Sequence, residues 1–520
     1  MKWVLRASLC FAACAAVGCG GSSTPGSTGG GGGGSLAVPT ITVTPAAASI
    51  TTAQTLTVNV SVAGNMGSTP SGTVVVSSGS YASASATLTG GSASTTILAG
   101  LLVTGNDTLT AGYTPGSLSD GTYTSATGTA SVSVSAGTPP SQPTIGSSLV
   151  LPTARVPFQA LPTKNGTVFV GEANGLEVFT AVAGVLTSQC VMPLTSTLES
   201  QGGEWAELEL LPNGVDLAGG IETPGAVFYN VTAAATCSAT PFVVSQGSVS
   251  ADEGSQAVAV TPDGKFAFVS NEYGVASGAT TEGNVGVVSL TYDASGNVNG
   301  GTLLGQITTG GNAIAGMLLS PDGTRLYVTS EVSKNSSAVG GSNSVLARTG
   351  CLQGVGSFPQ VNGLLTVIDV SKAESSTTTA AIITTVDAGC SPVRMAETSD
   401  NSTLWVAARG DNRVLAFSTG MLEINAANAL LGYADTQGAA PVGVTLFHHG
   451  QFLAVANSDR FGTGADANLA ILSVAYPAGA AVVTTVPAGL FPREVNVGSD
   501  DATLYLTNYS SHSLQLVPTQ

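Results

Sequence analysis

From about residue 146 to the C-terminus, one short unit keeps returning along the chain. Its clearest copies are Val260-Thr-Pro-Asp-Gly-Lys-Phe-Ala-Phe-Val-Ser-Asn271 and Leu319-Ser-Pro-Asp-Gly-Thr-Arg-Leu-Tyr-Val-Thr-Ser330. Thr398 to Ala408 and Val497 to Asn508 follow the same plan, and Leu446 to Asn457 keeps the strands but carries His448-His449 in place of Pro-Asp. Each copy reads as strand, tight turn, strand, because Gly, Asn and Asp tolerate the positive φ that such a turn requires. A third strand follows, as in Val414-Leu-Ala-Phe417, and a fourth, as in Ala381-Ile-Ile-Thr-Thr-Val386, precedes the next copy. A unit this short cannot bury an apolar face by itself, so the copies must pack on one another.

Two weaker units, Phe158 to Leu194 and Glu204 to Val244, bring the number to seven. The last unit ends after its third strand, Ser513-Leu-Gln-Leu-Val517, while Ser147-Ser-Leu-Val-Leu151 stands unclaimed before the first. Pairing those two segments would close the array and remove its open edge, which is the logic of a β-propeller. The sequence therefore predicts an all-β protein with a seven-bladed β-propeller over 146–520. Tyr327-Val-Thr-Ser330 and Tyr505-Leu-Thr-Asn508 resemble the signature of the YVTN-repeat propellers, part of the lactonase-like seven-bladed group. The resemblance specifies a fold and leaves the activity open. The His-rich first-blade segment of the phosphogluconolactonase branch has no counterpart here.

Ahead of the repeats, residues 38–136 alternate with period 2 in short runs such as Leu56-Thr-Val-Asn-Val-Ser-Val62, the pattern of a β-sandwich. Gly72-Thr73-Val74 and Ala111-Gly112-Tyr113 resemble recurring strands of bacterial Ig-like domains, which implies a stalk. Residues 137–145 read as a Pro-rich linker. At the N-terminus, Lys2 and Arg6 precede an apolar run, Ala7 to Val17, too short to span a bilayer permanently. The run ends Ala16-Val17-Gly18-Cys19, which resembles a bacterial lipobox. Residues 1–18 are then a lipoprotein signal peptide, Cys19 is the lipidation site, and 19–37 is a Gly/Ser-rich tether. The expected location is the cell envelope, as an outer-membrane lipoprotein touching the membrane only through its anchor.

With the signal removed and Cys19 acylated, Cys190, Cys237, Cys351 and Cys390 remain. Four cysteines allow three pairings. Cys190–Cys237 and Cys351–Cys390 are favoured because each joins neighbouring units, and exported proteins sustain such bonds. Lys and Arg number 14 against 31 Asp and Glu, a formal net charge of −17, so a polyanion would be repelled and nucleic acid is not an expected partner.

The first strand of each blade should line the channel. Counting six residues back from each turn selects Gln159, Glu207, Ala257, Gly316, Arg394, Gly443 and Glu494, with Arg493 beside the last. Gln159, Glu207, Arg394 and Glu494 are the ligand-binding candidates; charges there require partners or water. Glu172, Asn271, Ser330, Asn457 and Asn508 follow the second strands, and the asparagines among them read as turn residues bonding their own backbone. His448, His449 and His512 lie at turns without ligand spacing, so no metal and no cofactor is expected. The long segment from Glu331 to Asn362 holds Lys334, Arg348 and Cys351 and suits a functional loop.

Three functions follow from these readings. The favoured one is a propeller that binds a protein, glycan or small ligand. The second, implied by the resemblance, is a lactonase-like hydrolase with Glu207 or Glu494 as general base and Arg394 or Arg493 polarising a carbonyl. The third is a structural component of the envelope.

Overall fold

A computed structural model describes residues 36–520 apart from 80, 84, 98–99, 136, 138–140, 183–184, 194–204, 222–225, 239–241, 245–254, 273–275, 278–279, 282, 334–361, 376, 378, 461, 463–466 and 475–478. The signal segment, Cys19, Lys334, Arg348 and Cys351, and with Cys351 the expected Cys351–Cys390 pair, lie outside the described residues.

Among the described residues the repeats form seven four-stranded antiparallel sheets. Their first strands are Pro157–Pro162, Trp205–Leu210, Val258–Val260, Gly311–Leu319, Pro392–Glu397, Pro441–Phe447 and Pro492–Val497. Each packs beside the next, and Pro492–Val497 packs beside Pro157–Pro162, so the array closes on itself as a β-propeller. The closure is made by Leu149–Pro152, which pairs antiparallel with Ser513–Pro518, Leu149 opposite Leu516 and Leu151 opposite Leu514. Thr144 and Gln520 extend it with reciprocal N–H to O bonds of 2.7 and 2.9 Å. No sheet can bury its inner faces alone; the cores lie between neighbours. Phe447, Ile471, Leu504, Leu506 and Val517, none more than 2% exposed, form one core between the sixth and seventh sheets.

The repeated motif has a physical use at each position. Asp263 Oδ1 accepts from Lys265 N at 3.0 Å, Asp322 Oδ1 from Thr324 N at 3.0 Å, and Asp500 Oδ1 from Thr503 N at 2.9 Å. These bonds shape the turn, and Gly264 and Gly323, both at φ +71°, occupy its left-handed position. The threonine of Tyr505-Leu-Thr-Asn508 joins blades: Thr507 Oγ1 donates to Phe158 O at 2.8 Å and accepts from Glu494 N at 3.2 Å. Thr329 Oγ1 makes the matching bond to Val393 O of the following sheet. Expected turn residues prove to be part of the strands. Asn271, Asn457 and Asn508 are fully buried, and their Nδ2 groups donate to Asn284 Oδ1 at 2.7 Å, Asn468 Oδ1 at 2.9 Å and Gln515 Oε1 at 3.3 Å, tying second strand to third. A fully buried amide without such partners would be costly, which explains why the position is polar and not solvated. Ser330 and Glu172 are equally buried there.

Cys190 and Cys237 form a disulfide between the outer strand of the first sheet and the helix-ended turn of the second. Residues 40–135 form two sheets, one of three strands and one of six, around a core including Val58, Val60, Val74, Leu109 and Tyr113. This part is docked on the propeller. Ser418 Oγ donates to Ala82 O at 3.2 Å, and Ala82 is buried among Phe417, Met421 and Leu422. Gly420, in the short helix Thr419–Ile424, lies so close that a Cβ there would meet Ser83 O at 2.2 Å.

Candidate functional site

A β-bulge recurs at the same place in the first strands. The register shifts between Pro157 and Gln159, Ile314 and Gly316, Pro392 and Met395, Pro441 and Val444, and Pro492 and Val495. A strand normally sends successive side chains to opposite faces, whereas a bulge re-aims one of them. Two consecutive residues therefore face the channel, and they line two chambers. Gln159, Glu207, Gly316, Arg394 and Glu494 line one of about 260 Å³. Phe158, Ala315, Val393, Val442 and Arg493, each one residue earlier in its strand, line the other, of about 300 Å³. Arg394 lines both and stands between them.

The four channel residues singled out by counting come together. Arg394 Nε lies 3.0 Å from Glu207 Oε1 and is hydrogen-bonded to Glu494 Oε1, with all three side chains no more than 16% exposed. Gln159 Oε1 accepts from Leu208 N. Burial drives the Glu207 carboxyl up to about 7, against the pull of Arg394 and with a further push from Glu494. Glu209, on the same strand, is pushed up by burial to about 8 while its Oε2 accepts from Val260 N at 3.0 Å. For Arg394, burial works against the charge, and Glu207 and Glu494 outweigh it, so the guanidinium is held above its ordinary value. This chamber is thus rich in carboxylates, floored by one shared cation.

Arg493 belongs to the other chamber. Its guanidinium sits 4.3 Å from the centre of the Phe158 ring and 5.7 Å from that of Tyr509. Burial, then the neighbouring Arg394, lowers it to about 10. Its buried Nε–H has no hydrogen-bond partner, and no ion pair holds it among the described residues. Phe158 and Tyr509 meet edge to face at 5.3 Å, and Phe491 lies 5.0 Å from Tyr509.

The remaining counted positions are part of the wall. Ala257 is fully buried, its N–H donating to Ser270 Oγ at 2.8 Å. At Gly316 a Cβ would meet Val393 O at 2.4 Å, and at Gly443 it would meet Glu494 Cα at 2.7 Å; both glycines admit the next blade's strand. His448 Nε2 bonds Thr519 Oγ1 at 2.8 Å, and His449 is exposed beside Asp501. Among the described residues no group of His, Cys, Asp and Glu could hold a metal ion.

Counting missed the second source of chamber residues. Glu272, Arg409 and Tyr509 each follow directly the last residue of a second strand, Glu331 lies within one, Arg325–Ser333, at the matching register, and Arg460 lies shortly beyond another. Arg409 Nη2 pairs with Glu331 Oε2, and Gln256 Nε2 donates to Glu272 Oε2 at 3.1 Å. Stepping one residue past Asn271, Ser330, Ala408 and Asn508 would have found the four. Backbone strain gathers at the same mouth: Ala313, Ser391, Ala440 and Phe491, each just before a bulge, hold φ between +46° and +53°. Non-glycine residues rarely adopt that region, and strain of this kind concentrates where a site must be shaped.

No protein-family model matches the chain, and no curated protein matches it. Solved structures do. A periplasmic gluconolactonase of Pseudomonas aeruginosa is 15% identical, covering 67% of this chain and 91% of its own, with a TM-score of 0.45. The β-propeller domain of Cps50 (Swd1) from Myceliophteria thermophila is 10% identical, covering 71% and 98%, with a TM-score of 0.45. A chain of a mitotic checkpoint complex is 12% identical, covering 71% and 90%, with a TM-score of 0.48.

Proposed function

We propose that this is an exported, lipid-anchored protein of the cell envelope whose seven-bladed propeller receives a small ligand in the arginine-lined chamber of its channel. The observation that carries the reading is that chamber. In a chain with only 14 Lys and Arg, four arginines, Arg394, Arg409, Arg460 and Arg493, meet at one cavity beside three aromatic rings. Its volume, about 300 Å³, lies at the lower end for small-molecule sites. The Cys190–Cys237 disulfide suits an oxidising compartment, and the Cys19 lipobox and tether supply the anchor. The two-sheet N-terminal part acts in this reading as an Ig-like module that holds the propeller at a fixed attitude.

The test is thermal shift of the full chain in detergent against neutral sugars, small carboxylates and small amines, repeated with Ala315→Leu, which fills the chamber. One class should raise the wild-type melting temperature by several degrees, and Ala315→Leu should abolish that rise. A rise unaffected by Ala315→Leu, or no rise with any class, would refute the reading.

Hydrolysis is a second reading, favoured by Glu207. A carboxyl held near 7 and 3.0 Å from a buried guanidinium has the proton affinity and the neighbour expected of a general base at a polarised carbonyl. Turnover of a lactone panel, lost in Glu207→Gln, would establish it; an inert panel would remove it.

A further inference from the structure

We propose that the ligand of the arginine chamber is a small organic monocarboxylate with a flat or apolar body. This rests on the reading that the chamber is a ligand site and adds the chemistry of its occupant.

Three observations carry it independently. The first is charge. Arg394 is answered on its far side by two carboxylates, Glu207 and Glu494, so it brings no unmatched positive charge to this chamber. Apart from Arg394, the charged side chains that line this chamber itself are Arg409, Arg460 and Arg493 against Glu272 and Glu331, a local excess of one arginine. A cavity walled by protein favours an anion that cancels that excess and disfavours a dianion that overshoots it. The second is an unused donor. Arg493 Nε is buried and bonded to nothing among the described residues, although a guanidinium offers its donors in the planar fork that fits a carboxylate. A buried N–H left without an acceptor is expensive, and a bound carboxylate would satisfy it. The third is shape. Phe158, Phe491 and Tyr509 line the same cavity in mutual contact, so the ligand's body meets aromatic surface where its head meets Arg493.

Glu272, Glu331 and Gln256 complete the wall and can accept from hydroxyl or amide groups on the body. They also turn away an anion placed anywhere but near Arg493 and Arg460, which fixes the orientation. The bulge makes the arrangement possible, since without it Arg493 and Glu494 would point to opposite faces.

The experiment is isothermal titration of the full chain in detergent at pH 7 with sodium benzoate, benzamide and sodium phosphate. Benzoate should bind one to one, at least tenfold more tightly than the isosteric neutral benzamide and than phosphate, with affinity falling as salt rises. Arg493→Gln should weaken benzoate at least tenfold and leave benzamide within twofold; Arg460→Gln, an exposed change at the rim, should weaken it severalfold. Equal affinities for benzoate and benzamide, tighter binding of phosphate, or no benzoate binding at millimolar concentration would overturn the proposal. A neutral sugar that binds and is lost in Ala315→Leu, with benzoate inert, would overturn it while leaving the chamber a ligand site.

Discussion

Arg394 stands between the two chambers, with one guanidinium answering two carboxylates that water barely reaches. Removing one member of a buried ionic group leaves the others charged and unpaired, which generally costs roughly 3–5 kcal/mol. Arg394→Gln should therefore lower stability by about that amount in urea unfolding, and Arg394→Gln combined with Glu494→Gln should recover a large part of it. A loss below about 1 kcal/mol in the single variant would mean that the group is solvated and the two chambers communicate. This cluster was legible in the sequence because its members sit at one register of a repeat; Gln159, Glu207, Arg394 and Glu494 follow from counting back from the turns. Arg460 was not, because it sits on a connection beyond the strand end that no period reaches; Arg409 and Glu331 lay within reach of the repeat, one place past the counted second-strand positions, but nothing in the period shows that this place faces the channel. Arg493 was legible as a neighbour and illegible as a member of a second layer, since alternation places it on the opposite face and only the bulge brings it in.

At the scale of the element, the bulged first strand is the device that sets the site. Four of the seven first strands begin with proline, Pro157, Pro392, Pro441 and Pro492, which has no N–H to offer the ladder where pairing is interrupted. The pattern Pro, any residue, channel residue is therefore a signal present in the sequence, though its meaning appears only with the register. Three of the four prolines follow a non-glycine residue at positive φ, a conformation disfavoured both by its own Cβ and by the following ring. Ala440 keeps its place through Asn412 Oδ1, which accepts its N–H at 2.9 Å, and Ser458 Oγ, which donates 2.7 Å to its carbonyl. Both bonds use the backbone of Ala440 alone, so Ala440→Gly should relieve the strain without losing a hydrogen bond and, net of its small buried methyl, stabilise the protein by about 0.5 kcal/mol. A destabilisation in urea unfolding would show that the left-handed backbone is not strained there. The partner device is the threonine that links blades. Thr507→Val keeps the volume and removes the bonds to Phe158 O and Glu494 N, and should destabilise by roughly 1–3 kcal/mol. A neutral result would remove the motif's threonine from the account of how blades stay in register.

The whole molecule combines a closed ring, a docked N-terminal part and an interior that carries acid. Closure was legible because the last repeat lacks a strand and the first is preceded by one; docking through Ala82 and Gly420 was not, since it depends on small residues that allow close approach and leave no periodic trace. The acidic interior has a consequence for the molecule as a unit. Burial pushes Asp387 up to about 6, Glu207 to about 7, and Glu209 and Glu397 to about 8, and it raises Glu172 as well, with Glu177 adding to the effect. In the unfolded chain these groups titrate near pH 4–4.5. The folded chain therefore binds more protons than the unfolded chain between about pH 4.5 and 8, and in that window stability falls as pH rises. The formal charge of −17 acts in the same direction, because ionising the surface as well as the interior adds repulsion that compactness concentrates. The opposing groups act elsewhere: Asp263, hydrogen-bonded to Lys265 and held near 2, and Asp322 and Asp500, lowered by turn hydrogen bonds that outweigh their partial burial, lose their contribution only below about pH 4. Calorimetry should accordingly find the highest melting temperature near pH 5 and a decline of several degrees by pH 8. Glu209→Gln and Glu397→Gln, each removing one raised carboxyl while keeping an acceptor, should flatten that slope additively, because the two sit in different blades and share no partner. A melting temperature that is level or rising from pH 5 to 8 would mean that the interior carboxyls are reached by water, and with that the reading of Arg394, Glu207 and Glu494 as a dry ionic group between the two chambers would go too.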